Sequence, residues 1–282
     1  MDWSGFEAWL TSTPLAALGF GLFAAMGGAT VLGGLLRLRL KRDGPDSGAG
    51  EGYIVSAVLG LLALLLGFTF SLAVDRFDAR RVLVLQEANA IGTAYLQSQL
   101  LPEPHRGRMS ELLVRYTANR IALAKEPPGA TQARLLATSD TLVTDIWSAT
   151  GAAFDSIKGI DFSSTYVASV NTVIELDGAR RAARTARVPA EVFAVLFVYM
   201  VSSAGVLGYV LDRRDARIAA GLLLILFTVS LMLIVDIDRP TAGGIVESQA
   251  PMEALLKTLE GEPPAVFDRW RTPTEAPASP HP

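Results

Sequence analysis

Four stretches of the chain are nearly unbroken in apolar character: residues 14–36, 53–74, 188–211 and 218–235. A helix needs about 20 apolar residues to cross a hydrocarbon core roughly 30 Å thick. The pattern therefore predicts four transmembrane helices arranged as two hairpins, within 1–74 and 188–235. The first two runs are uncharged, the third holds only Glu191 three residues in, and the fourth is shorter but wholly apolar or small. Residues 1–13 carry no Lys or Arg, and the run that follows exceeds a signal-peptide apolar core, so it reads as a span.

Between the hairpins, residues 75–187 change to a helical alternation of apolar and polar positions. No Gly or Pro interrupts 75–91, so the second span is expected to continue out of the membrane as one long helix. Leu85, Ala88, Ile91, Tyr95 and Leu96 mark its apolar stripe. The run Leu101-Pro-Glu-Pro-His105 breaks the chain. A helix over 107–125 follows, with Met109, Leu112, Leu113 and Tyr116 on one face, and Pro127-Pro-Gly129 ends it. Two further amphipathic runs carry Leu135, Leu142, Ile146, Trp147, Phe154 and Ile157, then Phe162, Tyr166, Val170, Val173 and Ile174. Strand signals are almost absent, so the segment reads as an antiparallel helical bundle. Beyond the fourth span, 236–261 holds a stop signal and a short helix that opens at Pro251. From Glu262, Pro recurs six times among few hydrophobics, the pattern of a disordered tail over 262–282. Residues 43–52, with four glycines and a Pro, read as a flexible loop, and no internal repeat is visible. The expected fold is an all-α membrane protein: four transmembrane helices plus a helical extramembrane domain.

Composition narrows the chemistry. Half of the residues are hydrophobic and the mean hydropathy is +0.35, an excess unusual for a soluble domain of this length. Without Cys, disulfides, iron–sulfur clusters and thiol catalysis are excluded. The two histidines, His105 and His281, lie in a Pro-flanked turn and the tail, which argues against a zinc site or a His-based triad. The net charge is −3, and no basic block reads as a nucleic-acid surface. No cofactor is implied, and no enzyme is supported. Orientation stays open. Seven basic residues (Arg37, Arg39, Lys41, Arg42, Arg213, Arg214, Arg217) fall on one side, and eight on the other (Arg76, Arg80, Arg81, Arg180, Arg181, Arg184, Arg187, Arg239).

The second span holds the most informative stretch. Gly60, Leu64 and Phe68 recur at i, i+4 and i+8 on one helical face. In an oligomer such a face forms an apolar constriction gated by wetting; the plainer alternative is packing against a neighbouring helix or lipid. Asp75 and Arg76 end that span, with Arg80 and Arg81 a turn later. They suit either a ring of arginines that concentrates anions at a pore mouth or an interfacial belt of snorkelling side chains. Asp236, Asp238 and Arg239 serve either ion entry or simply the end of the fourth span. The glycines crowding the first span fit close helix packing better than a phosphate loop. The carboxylates Glu87, Asp140, Asp145, Asp155 and Glu175 are scattered along amphipathic helices, where solvated faces are expected.

The run 67–77, Gly-Phe-Thr-Phe-Ser-Leu-Ala-Val-Asp-Arg-Phe, with Arg80-Arg81 and Glu87-Ala-Asn-Ala-Ile-Gly92, resembles a bacterial membrane-protein family described as bestrophin-like. So does Asp236-Ile-Asp-Arg-Pro240 with Gly244, Ile245, Ser248 and Pro251. The likeness runs from about residue 14 to 260. The step Leu66-Gly67-Phe68 further resembles the second span of bestrophins, which are pentameric, mostly anion-conducting channels. The resemblance implies Phe68 as a neck residue, with Leu64 and Gly60 as preceding neck positions by spacing; Gly60 departs from the usual bulky residue. It implies a homo-oligomer, a pentamer, in the bacterial inner membrane, with a cytoplasmic central domain. Its ligands would be the lipid bilayer and inorganic ions, chloride or another anion first and sodium second. The rival expectation is a non-conducting membrane scaffold or sensor whose helical domain binds a partner.

Overall fold

Every regular element among the described residues is helical, as expected where long apolar runs alternate with 3.6-residue periodicity and strand signals are missing. A computed structural model describes residues 4–40, 48–211, 214–240 and 243–269. Lys41, Arg42, Arg213, the 43–47 part of the loop and the 270–282 part of the tail lie outside them. The helices are α1 (Ser4–Ser12), α2 (Leu15–Leu40), α3 (Gly48–Ser98), α4 (His105–Lys125), α5 (Ala130–Ile157), α6 (Phe162–Thr185), α7 (Ala190–Val210), α8 (Arg214–Asp238) and α9 (Ala250–Gly261). Four of them, α2, α3, α7 and α8, contain runs long and apolar enough to cross a membrane. The chain is a multi-pass membrane protein. The second span does continue into one long helix, α3, but that helix already begins at Gly48, so residues 48–52 are helical and not loop as expected. The helix α1 has no counterpart in the hydropathy pattern, where residues 1–13 carry no span signal.

The chain divides into two units, the first comprising residues 1–80 and 183–247. In it α2 and α7 lie side by side and run the same way. Thr30 of α2 donates its hydroxyl to Ala204 of α7 at 3.1 Å, and Arg37 near the α2 terminus donates to the Tyr209 carbonyl at 3.2 Å. That arginine satisfies carbonyls left open at the end of α7. The crossing depends on glycine. A Cβ on Gly33 would overlap the Gly205 carbonyl, and one on Gly208 would overlap the Thr30 carbonyl. With no hydrophobic force between helices in lipid, such close backbone approach supplies the packing. Helix α8 returns antiparallel, its Met232 lying 3.2 Å from where a Cβ on Gly19 would sit. Leu22, Met26, Leu62, Leu196, Met200 and Leu231 fill the core. Phe20, Leu32, Val198 and Ile218 stay exposed on the outside, as residues facing lipid do.

The second unit comprises residues 81–182 and 248–282. Here the later part of α3 packs with α4, α5, α6 and α9 around Ile91, Met109, Leu113, Ile146, Tyr166 and Met252. The apolar stripe of α3 is rotated from expectation: Ala88, Ile91 and Tyr95 are buried, whereas Leu85 and Leu96 are about half exposed. The buried line instead includes Val84, Glu87 and Ala94. The stretch read as tail from Glu262 also differs, because Pro264–Asp268 forms a turn of 3-10 helix. Two contacts order it. Phe267 meets the Tyr95 ring edge-on at 6.4 Å, and Arg106 grips Asp268 with paired hydrogen bonds of 2.7 and 3.0 Å.

Candidate ion-conducting face and its supporting charges

Helix α3 carries two opposed stripes. At 100° per residue, Gly60, Leu64, Phe68 and Asp75 lie within about 80° of one another, and all four are exposed, Phe68 by 66% and Leu64 by 53%. On the other side Leu62, Leu66, Thr69 and Ala73 are buried against the neighbouring spans. The three positions expected at a constriction thus share one unpacked face within the first unit, and Asp75 extends it to the end of the apolar run.

The arginines separate. Arg81 is exposed and Arg76 half-buried, but Arg80 is only 3% exposed and sits on the packed side. Its Nη2 donates to the Ile237 carbonyl at 2.8 Å, and its Nε lies 3.8 Å from Glu247, which is itself buried. Arg80 therefore braces the end of α8 and is not placed at the surface with Arg81. A signal for this exists in the sequence: Leu66, Ala73, Arg80, Glu87 and Ala94 recur every seven residues, and all are buried.

Asp236, Asp238 and Arg239 are likewise buried and committed to backbone groups. Asp236 accepts hydrogen bonds from the amides of Gly244 at 2.7 Å and Ile245 at 3.1 Å, folding the chain back after α8. Gly243 is required there, since a Cβ would come within 2.5 Å of the Asp236 carboxylate. Asp238 accepts the amide of Val188 at 2.9 Å, just ahead of α7. Arg239 donates to the carbonyls of Leu10 and Thr13, the latter at 2.8 Å, which ties down the junction of α1 and α2. These three side chains hold one end of the span bundle together.

In the second unit Glu87 overturns the expectation of a solvated carboxylate, for it is completely buried. Arg120 Nε donates to it at 2.9 Å and Arg180 Nη1 reaches its other oxygen. Arg120 also pairs with buried Asp177 at 2.9 Å. The Tyr116 hydroxyl lies 2.8 Å from Glu87 and 3.2 Å from Asp177, so its single proton serves one carboxylate at a time. Burial alone would raise the Glu87 carboxyl pKa, but the adjacent Arg120 and Arg180 outweigh it and hold the group below the usual carboxylate range. Burial, then the charge on Glu87, pushes the Tyr116 phenol well above its ordinary value, so it remains a donor. Among the described residues no group of His, Cys, Asp and Glu could hold a metal ion.

Comparison with known proteins bears on the family and the fold. The sequence profile of the family described as "Bestrophin-like domain" matches residues 22–252. No curated protein sequence matches the chain. Among solved structures, a bacterial bestrophin homologue from Klebsiella pneumoniae carrying a tryptophan-to-alanine mutation superposes with a TM-score of 0.64 at 15% identity. That match covers 91% of this chain and 99% of the other. The same homologue with an isoleucine-to-threonine mutation gives 0.62 at 19% identity, over 90% and 99% of the two chains. The structure of the homologue phased with zinc gives 0.58 at 19% identity, over 87% and 95%. At these identities the likeness is one of fold.

Proposed function

Because the chain belongs to the bestrophin-like family, we propose that it is an ion channel, a homo-oligomer whose subunits surround a pore lined by α3. The supporting observation is the unpacked face of Gly60, Leu64, Phe68 and Asp75, which runs the length of the span opposite its buried stripe. Lipid alone is a poor partner for a face that mixes a glycine, a large ring and a terminal carboxylate. Around a symmetry axis the same residues form a narrow apolar throat with a charged rim. Phe68 is the constricting ring, with Leu64 and Gly60 in the same column; with no side chain at Gly60, that level is wider. The assembly is a pentamer by family likeness. Anions, chloride first, are the favoured ions on that likeness; sodium, which the Asp75 carboxylate on the same face suits, is the competitor. The helical domain faces the cytoplasm of a bacterium, and the spans lie in its inner membrane.

Reconstitution in liposomes tests this. Chloride and sodium flux are measured for the wild type and Phe68→Ala, with oligomer mass determined alongside. Flux that rises or loses selectivity in Phe68→Ala places the throat on α3. A correctly folded oligomer without flux, for both proteins, points to a scaffold or sensor whose helical domain binds a partner.

A further inference from the structure

Three arginines of the first unit, Arg76, Arg80 and Arg187, lie within electrostatic reach of Asp238. One carboxylate cannot answer all of them, and Asp238 already accepts the Val188 amide at 2.9 Å. Arg187 also shares a cavity lining with Glu7 and Glu191. Arg80 has a second carboxylate, Glu247, but at 3.8 Å, beyond hydrogen-bond length, and Arg184 stands 3.9 Å from the same group. Arg76 forms no ion pair among the described residues. Asp75 and Asp78 are near it in the chain, yet side chains one and two positions apart on a helix do not face each other, and both are exposed.

The hydrogen bonds show the same shortfall. Arg80 is almost fully buried, and of its donors only Nη2 is used, on the Ile237 carbonyl at 2.8 Å. Its Nη1 and Nε are buried and donate to nothing among the described residues, and neither does the buried Nε of Arg76. Idle N–H groups on a buried guanidinium cost stability, so such donors point to an acceptor from outside the chain. Arg76 and Arg80 stand one turn apart on α3, where side chains are neighbours, and each feels the charge of the other. Water would accept the idle N–H groups but leave the repulsion. An anion meets both demands.

We propose that Arg76 and Arg80 together bind one small monovalent anion, a halide such as chloride, between Arg80 Nη1 and Arg76 Nε. Burial of these donors suits an ion of one atom and not a phospholipid headgroup, and the carboxylates of Asp238 and Glu247 repel a dianion. The half-buried Arg76, on its flexible stem, gives the way in. Arg80 lies on the packed side of α3, so the ion is held there and not conducted. It strengthens the junction at which Arg80 braces the end of α8. The inference does not rest on conduction by the protein.

The full-length protein in detergent is melted in sodium chloride, sodium bromide and sodium gluconate at equal ionic strength, with Tm read by circular dichroism. An anion present at about ten times its dissociation constant shifts the folding equilibrium by about tenfold, so the wild type should melt about 4 °C higher in either halide than in gluconate. Arg76→Gln should melt at one temperature in all three salts. In gluconate it should melt no lower than the wild type, because it removes an unanswered charge. Arg81→Gln, which changes the exposed arginine next to Arg80, should keep the halide response. Bromide introduced into crystals should give an anomalous signal between the two guanidiniums. Equal wild-type melting in the three salts overturns the proposal, as does a halide response that survives Arg76→Gln. Arg76→Gln that is destabilised equally in every salt overturns it too, and assigns Arg76 to a carboxylate of a second subunit.

Discussion

Replacing Glu87 with glutamine preserves shape but removes one of two buried negative charges that face two buried arginines. In the wild type Glu87 pairs with Arg120 and Arg180, and Asp177 with Arg120 and Arg181; in Glu87→Gln buried Arg180 loses its carboxylate and Arg120 keeps only Asp177. Removing one member of a buried pair costs about 3–5 kcal/mol, because the partner charge stays desolvated. At roughly 2–4 °C per kcal/mol for a chain of this size, the melting temperature should drop by about 10 °C. Circular dichroism of the detergent-solubilised full chain reads this directly. Acid adds a second signature. The folded-state pKa of Glu87 is depressed, so its stabilisation is fully present above the unfolded carboxyl value of about 4.3 and is lost as pH falls through the lower folded value. The wild type should therefore lose stability below about pH 4 more steeply than Glu87→Gln. Replacing Glu87, Arg120, Asp177 and Arg180 together by Leu, Met, Leu and Met should recover much of the loss, since an apolar core of similar volume does not bury charge and Arg181 keeps Asp140 as its partner. A Glu87→Gln cost under about 1 kcal/mol, with an unchanged acid slope, would falsify the buried-network reading.

Other expectations follow from the same packing. Gly208→Ala and Gly33→Ala force backbones apart where α2 crosses α7 and should each cost roughly 1–3 kcal/mol. Gly27→Ala and Gly28→Ala, which meet nothing within 4 Å, should be close to neutral in the same thermal scan. Equal effects at all four positions would refute the glycine-dependent crossing. Arg80→Gln should lower thermal stability, because it frees the Ile237 carbonyl and leaves buried Glu247 with Arg184 alone of its two arginines. Arg81→Gln should leave stability within about 0.5 kcal/mol and shift the chloride-to-sodium flux ratio toward sodium. The reverse pattern would place Arg80 at the pore mouth.

The sequence by itself determined the four spans, because a 20-residue apolar run has few stable alternatives to a membrane helix. It also determined that α3 runs on beyond its span, since nothing between 75 and 91 breaks a helix, and the common face of Gly60, Leu64 and Phe68, which follows from spacing alone. The same seven-residue spacing placed Arg80 and Glu87 on one line with Leu66 and Ala73, yet their chemistry argued for water. Only the tertiary structure decided that these charges go inside, because burial of a charge depends on partners far away in the chain. Arg80 is met by Ile237 and Glu247, and Glu87 by Arg120 and Arg180. The post-span cluster is a similar case. Asp236, Asp238 and Arg239 are ordinary span-ending charges until the fold brings amides from 188 and 244–245 and carbonyls from 10 and 13 within hydrogen-bond reach. Local periodicity fixes which residues share a face; which face finds a partner is set by the packing of distant segments.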